Sequence, residues 1–139
     1  CRDLSEIATY ATVDNVQFKQ LKAHTPAPIT FILNATKDVP KKLAHAKKKT
    51  IGIRVPSNPI AQALLEAMDE PILTSSLILP DRDDILDDPF DIEELLDNQV
   101  DGLINAGIKT TKLTTIVDMT SSQPEVIRQG AADVSDLLL

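Results

Sequence analysis

Apolar positions along the chain change period several times, and each change marks an element. Leu4, Ile7 and Ala8 recur at helical spacing behind Asp3 and Ser5, which predicts a short helix over 4–10. Asp14 caps a second predicted helix over 15–23. Its stripe is poorly defined, because Val16, Lys19, Gln20 and Ala23 lie on one side while Phe18 and Leu21 face the other. Thr25-Pro26-Ala27-Pro28 excludes helix, since each proline removes a donor and restricts the residue before it. Ile29–Leu33 and Thr50–Val55 then read as strands, rich in β-branched residues. Pro40 offers a helix start within the lysine-rich stretch 37–49. Asn58-Pro59 opens a helix over 60–68 and Glu70-Pro71 stops it. The run 72–79 is apolar enough for a central strand. A helix over 91–97 follows Pro89, and short strands are expected at 102–104, 114–119 and 125–129. Six strands interleaved with four helices predict an α/β domain with a twisted, open, mixed sheet and flanking helices.

Composition narrows the class. The chain has 139 residues, 42% apolar and 25% charged, as an ordinary globular domain does. A single cysteine forms no internal disulfide, so a cytoplasmic setting is expected. Net charge is −7, but residues 81–101 hold ten acidic groups and only Arg82 as a base. The rest of the chain carries 13 bases and 11 acids, a balance of +2. The acidic segment is read as a solvated excursion within one domain rather than as a metal site. The overall charge therefore does not exclude a nucleic-acid partner. Cys1 in first position reads either as a lipidated start or, the favoured expectation, as an internal residue of an N-terminally truncated domain.

Polar residues on predicted strands are the candidates for chemistry. Arg54 lies between Ile53 and Val55. Such an arginine either meets solvent or a structural carboxylate, or offers a fixed fork to a ligand carboxylate or phosphate. Thr30 interrupts an apolar strand, and Thr74-Ser75-Ser76 places three hydroxyls on another. Arg128 precedes Gly130 near the end of the last strand, as a surface charge or a second anion contact. Lys47, Lys48 and Lys49 form either a solvated loop or a phosphate-backbone contact. With no Trp, one Tyr and three Phe, a base-stacking platform is poorly supported, and any nucleic-acid contact would read phosphate and shape. His24 and His45 are the only histidines, four glycines build no phosphate loop, and no spacing suggests a metal site.

Four segments carry a resemblance to the YrdC-like proteins. They are Thr25-Pro26-Ala27-Pro28-Ile29-Thr30-Phe31, Gly52-Ile53-Arg54-Val55-Pro56-Ser57-Asn58-Pro59, Pro71-Ile72-Leu73-Thr74-Ser75-Ser76, and Thr114-Thr115-Ile116-Val117-Asp118 followed by Val126-Ile127-Arg128-Gln129-Gly130-Ala131. Cys1–Ile7 with Ala35–Pro40 looks most like the YciO branch. The resemblance implies a YrdC-like fold covering the later two-thirds of that domain. It also implies a role in the threonylcarbamoyladenosine modification of tRNA, through condensation of L-threonine, bicarbonate and ATP into threonylcarbamoyl-adenylate. ATP, with or without magnesium, would be a substrate and not a permanent cofactor. By motif position Thr30, Arg54 and Thr114 would line the threonine pocket, Arg54 taking the carboxylate, while Ser76 and Arg128 would meet the nucleotide. Double-stranded RNA or tRNA is a further partner that the resemblance implies.

Two departures temper the expectation of catalysis. Active members carry S-x-N where this chain has Ser76-Leu77-Ile78, and the family's K-x-R motif does not occur here. A non-catalytic module that binds double-stranded RNA, tRNA or the ribosome, and an inactive fragment, are the alternatives to a synthase.

Overall fold

The computed structural model describes residues 1–138. Its four α-helices begin where side chains satisfy the first free N–H groups. Asp3 accepts from the Glu6 amide at the start of α1 (Leu4–Tyr10). Asp14 and Gln17 close a reciprocal capping box on α2 (Asn15–Ala23). Asn58 accepts from Ile60 and Ala61 at α3 (Pro59–Met68), and Asp88 from Phe90 at α4 (Pro89–Leu96). Both latter helices place proline at the first position, where no donor is lost. The five strands are β1 (Ala11–Thr12), β2 (Ile29–Ala35), β3 (Thr50–Ile53), β4 (Thr115–Asp118) and β5 (Glu125–Arg128). A 3-10 turn, Ser135–Leu138, follows Asp133. The Asp133 carboxylate accepts from the Ser135 amide at 2.9 Å, and that bond holds its pKa below the ordinary value.

The chain divides into two compact units. The larger, Cys1–Leu73 with the chain from Thr114 onward, contains all five strands and α1–α3. They form an α/β domain with an open, mixed sheet and flanking helices. Strand β2 is its centre. It pairs antiparallel with β1 and β3 and parallel with β4, which pairs antiparallel with β5. Backbone groups alternate between the two edges of a strand. Met119 donates to the Ile32 carbonyl and the Thr36 amide to Tyr10, whereas the Ala35 amide binds the Lys49 carbonyl. Thus β4 and β1 lie end to end along one edge of β2, and β3 occupies the other.

Side-chain alternation gives the sheet two unlike faces. Ile29, Phe31 and Leu33 of β2 join Ile53, Val117, Met119, Ile7 of α1, Leu21 of α2, Val134 and Leu137 in one core. Thr30, Ile32 and Asn34 point the other way and are half-buried or exposed. Thr115 is the polar member of the buried face, with 0% exposure. Its hydroxyl donates to Ala132 O at 2.7 Å and accepts from the Gly130 and Ala132 amides at 3.0 and 3.1 Å. Those three bonds exhaust a hydroxyl's capacity and fasten the C-terminal tail to β4.

Strand β5 carries a bulge. Asp118 faces Glu125 and Val117 faces Val126, yet Ile116 faces Arg128. Ile127 is the extra residue, 53% exposed. In a regular strand Val126 and Arg128 would share a face. The bulge instead leaves Val126 packed on the core and turns Arg128 to the opposite face beside Ile116.

The smaller unit, Thr74–Leu113, contains α4 and otherwise irregular chain around buried Leu86, whose amide donates to Leu77 O at 2.9 Å. It has ten acidic and three basic side chains, the whole of the net −7, while the larger unit has eleven of each.

Several expected elements differ. The run 72–79 is not a strand: Leu73 is 80% exposed, and the central place belongs to β2. An apolar run signals burial but supplies no partner edge, and prolines at 71 and 80 bracket this one. Residues 102–104 are irregular and exposed, and 37–49 forms turns rather than a helix. Strand β3 stops at Ile53, and the two-residue β1 is too short to leave a pattern.

Replacing Thr115 by isosteric valine is expected to strand two donors and a carbonyl, lowering stability by about 1–3 kcal/mol. Urea unfolding should show a lower midpoint at an unchanged slope.

Candidate functional site

The face of the sheet turned away from the core gathers four of the expected site residues. Thr30 is the second residue of β2, and Thr114 immediately precedes β4. Their hydroxyl oxygens are 3.0 Å apart and share a hydrogen bond across 84 residues of sequence. Arg128, placed on this face by the bulge, forks onto Thr114. Its Nε and Nη2 donate to the Thr114 carbonyl at 3.1 and 2.9 Å, and Nη2 also donates to the Thr114 hydroxyl at 3.3 Å.

Arg54 follows β3 directly. Ile53 and Val55 are both buried and Arg54 between them is half-buried, so the alternation continues past the last paired residue and sets Arg54 on the open face. The segment is tied down through its backbone. The Cys1 nitrogen donates to Arg54 O at 2.8 Å, Ala27 N to Val55 O at 3.1 Å, and Gln62 Nε2 to Pro56 O at 2.6 Å. Among the described residues, no hydrogen bond or ion pair engages the Arg54 guanidinium. The two arginines therefore differ in kind: Arg128 is committed to the protein and Arg54 is open to a ligand.

Gly52 sits opposite Ile32 on the same face. A Cβ built there would come within 3.2 Å of Thr30 Cγ2. The missing side chain lets the Thr30 methyl lie against the backbone of β3 while its hydroxyl reaches Thr114.

Ser76 belongs to the smaller unit and is exposed on irregular chain. It does not terminate a strand, as the apolar run had suggested. Its carbonyl accepts from Ile78 N and from Ser75 Oγ. Lys47, Lys48 and Lys49 are exposed in a tight turn before β3. His45 organises that turn: its Nδ1 accepts from the Lys47 and Lys48 amides at 3.3 and 3.1 Å, and its carbonyl accepts from the Lys49 amide at 2.8 Å. Among the described residues no three His, Cys, Asp or Glu side chains converge as a metal would require, and no helix is long and apolar enough to cross a membrane.

A family model for the Sua5, YciO and YrdC proteins, described as "Telomere recombination", matches residues 1–130. The chain belongs to the Sua5/YciO/YrdC family. Escherichia coli YciO is 52% identical over 138 residues, covering 99% of this chain and 67% of the relative. Its crystal structure superposes with a TM-score of 0.93 over 100% of this chain and 67% of that one. A Methanocaldococcus jannaschii relative named "Putative threonylcarbamoyl-AMP synthase" is 31% identical over 138 residues, 98% of this chain and 63% of its own. The crystal structure of P. abyssi Sua5 complexed with L-threonine shares the fold, with a TM-score of 0.82 at 21% identity over 92% of this chain and 38% of that one.

Within this family member, two features of the open face differ in how far the sequence signals them. Gly52 was a visible signal, since a lone glycine between Ile51 and Ile53 marks a close backbone approach. The Thr30–Thr114 pairing had no local signal, because nothing local reveals which distant residues a parallel register joins; only the resemblance set both residues in one expected pocket.

Gly52→Val is expected to push Thr30 off its rotamer and lower stability by about 1–3 kcal/mol, read as a lower urea midpoint. Gly52→Ala, which needs a shift of only a few tenths of an ångström, is expected to change the Thr30 methyl resonance with a smaller loss.

Proposed function

We propose that this chain binds L-threonine on the open face of its sheet and serves the threonylcarbamoyl-AMP chemistry of its family. The observation that carries the reading is the half-buried Arg54 guanidinium, unpaired among the described residues and set on the face that holds Thr30 and Thr114. A guanidinium withdrawn from water without a partner favours an anion, and its planar fork matches a carboxylate with two parallel bonds. Two hydroxyls beside it suit the polar atoms of a small amino acid. The threonine complex of P. abyssi Sua5 and the name of the M. jannaschii relative support the same ligand and reaction.

In that reaction threonine, bicarbonate and ATP would yield threonylcarbamoyl-AMP, pyrophosphate and water. ATP with its magnesium is the proposed second substrate, and the edge of the Arg128 guanidinium not committed to Thr114 is the contact proposed for it on the larger unit. Ile78 presents an apolar side chain where active members of the family carry an amide, so binding rather than turnover is the informative measurement.

A second reading rests on the His45-ordered turn, which holds three lysines outward at once. Such a turn suits successive phosphates of double-stranded RNA or tRNA.

Calorimetric titration with L-threonine should give saturable binding that weakens at least about tenfold in Arg54→Ala, the loss of one charge-assisted contact, and less in Arg54→Lys. Equal affinity in wild type and Arg54→Ala would overturn the threonine reading. For RNA, reversing Lys47, Lys48 and Lys49 to glutamate should make the log–log salt dependence of binding to a duplex shallower by about 2–3. An unchanged slope would dismiss that surface.

A further inference from the structure

The hydrogen bonds on the open face have a direction. Arginine donates and never accepts, so the contact between Arg128 Nη2 and the Thr114 hydroxyl, at 3.3 Å, makes that oxygen an acceptor. The same guanidinium is anchored twice on the Thr114 carbonyl, so its position does not depend on the hydroxyl. A hydroxyl that accepts from a cation is polarised toward giving up its own hydrogen as a donor. The other partner of Thr114 Oγ1 among the described residues is Thr30 Oγ1, at 3.0 Å. Either hydroxyl could donate at that distance, and the polarisation by Arg128 favours Thr114 as the donor to Thr30. Thr30, having accepted, keeps its own hydrogen for a group on the open face. Its rotamer is held at both ends, the hydroxyl on Thr114 and the methyl in the notch left by Gly52.

We propose that Arg128 is a positioning residue that works through Thr114 to set Thr30 as a hydrogen-bond donor, so that Thr30 selects an acceptor oxygen of the ligand. The ligand atom it meets is a carboxylate or carbonyl oxygen, not an ammonium group. For the identity of the ligand the proposal rests on the threonine reading; the direction of the relay stands on the three side chains alone. It also divides the work of the two arginines. Arg54 supplies charge to the carboxylate, and Arg128 supplies the orientation of an uncharged donor beside it. The bulge at Ile127 is what makes this possible, because it brings Arg128 to the face where Thr114 and Thr30 stand.

The test combines affinity with threonine-methyl NMR. Thr30→Val and Arg128→Met are each expected to weaken L-threonine about tenfold, and the double variant is expected to be no weaker than Thr30→Val alone. Thr114→Val, which removes the middle hydroxyl and leaves the bond from Arg128 to the Thr114 carbonyl, should give the same loss and add nothing to Thr30→Val. Arg128→Lys, still a donor, should recover most of the affinity. 1-Amino-2-propanol, which lacks the carboxyl group and carries no oxygen in its place, should be insensitive to all of these changes. In the free protein, Arg128→Met should move the Thr30 methyl resonance and Arg128→Lys should leave it near the wild-type position. Losses that add to about a hundredfold in the double variant, or a Thr30 methyl unmoved by Arg128→Met, would overturn the relay. Absence of threonine binding in the wild type would overturn the threonine reading instead, with the methyl shifts still deciding the relay for or against.

Discussion

Strand β2 has two hydrogen-bonding edges, and three other strands are held on them. Its residues alternate strictly, Ile29, Phe31 and Leu33 inward and Thr30, Ile32 and Asn34 outward. A slip of one residue against any neighbour would exchange those sets and place Thr30 in the core. The register with β4 is what puts Thr115 beside Ile29 on the buried face, and hence Thr114 near Thr30 on the other. Burial of Phe31 and its neighbours thus fixes the position of the polar groups on the far side of the same strand.

Polar groups accumulate on the face opposite the one that α1 and α2 pack against. The packed face has no polar latitude: its threonine, Thr115, uses every bond it can make. The open face tolerates a half-buried guanidinium, a chain of hydroxyls and a missing side chain at Gly52, because a ligand or water can complete what the protein leaves open. The net negative charge, meanwhile, falls in the smaller unit, the larger unit is neutral by count, and Arg54 and Arg128 bring positive charge to its open face.

Much of this was legible in the sequence where signals are local. Caps at Asp3, Asp14 and Asn58, the double-proline turn before Ile29, and the family segments around Arg54 and Arg128 each fix their own neighbourhood. Strand pairing was not legible, because hydrophobic pattern reports burial and says nothing of the partner. That is why residues 72–79 read as a central strand although Thr74-Ser75-Ser76 lie on exposed irregular chain. The function of Arg128 shows the same limit. Its motif pointed to an anion and said nothing of the bonds to Thr114, which depend on the bulge that keeps Ile127 out of the pairing.

The parallel pairing of β2 with β4 closes a long excursion of the chain, the whole of Thr74–Leu113 included. Closure entropy grows only logarithmically, so even doubling such a loop costs about 0.6 kcal/mol. The acidic unit can therefore lengthen, shorten or change sequence over evolutionary time with little consequence for the sheet. The four residues of β5 have no such freedom, since flattening the bulge so that Ile127 paired with Ile116 would turn Arg128 from the open face toward the core. Drift in this protein is thus expected to be uneven along the chain, wide in the forty residues of the acidic unit and narrow where β5 keeps its bulge.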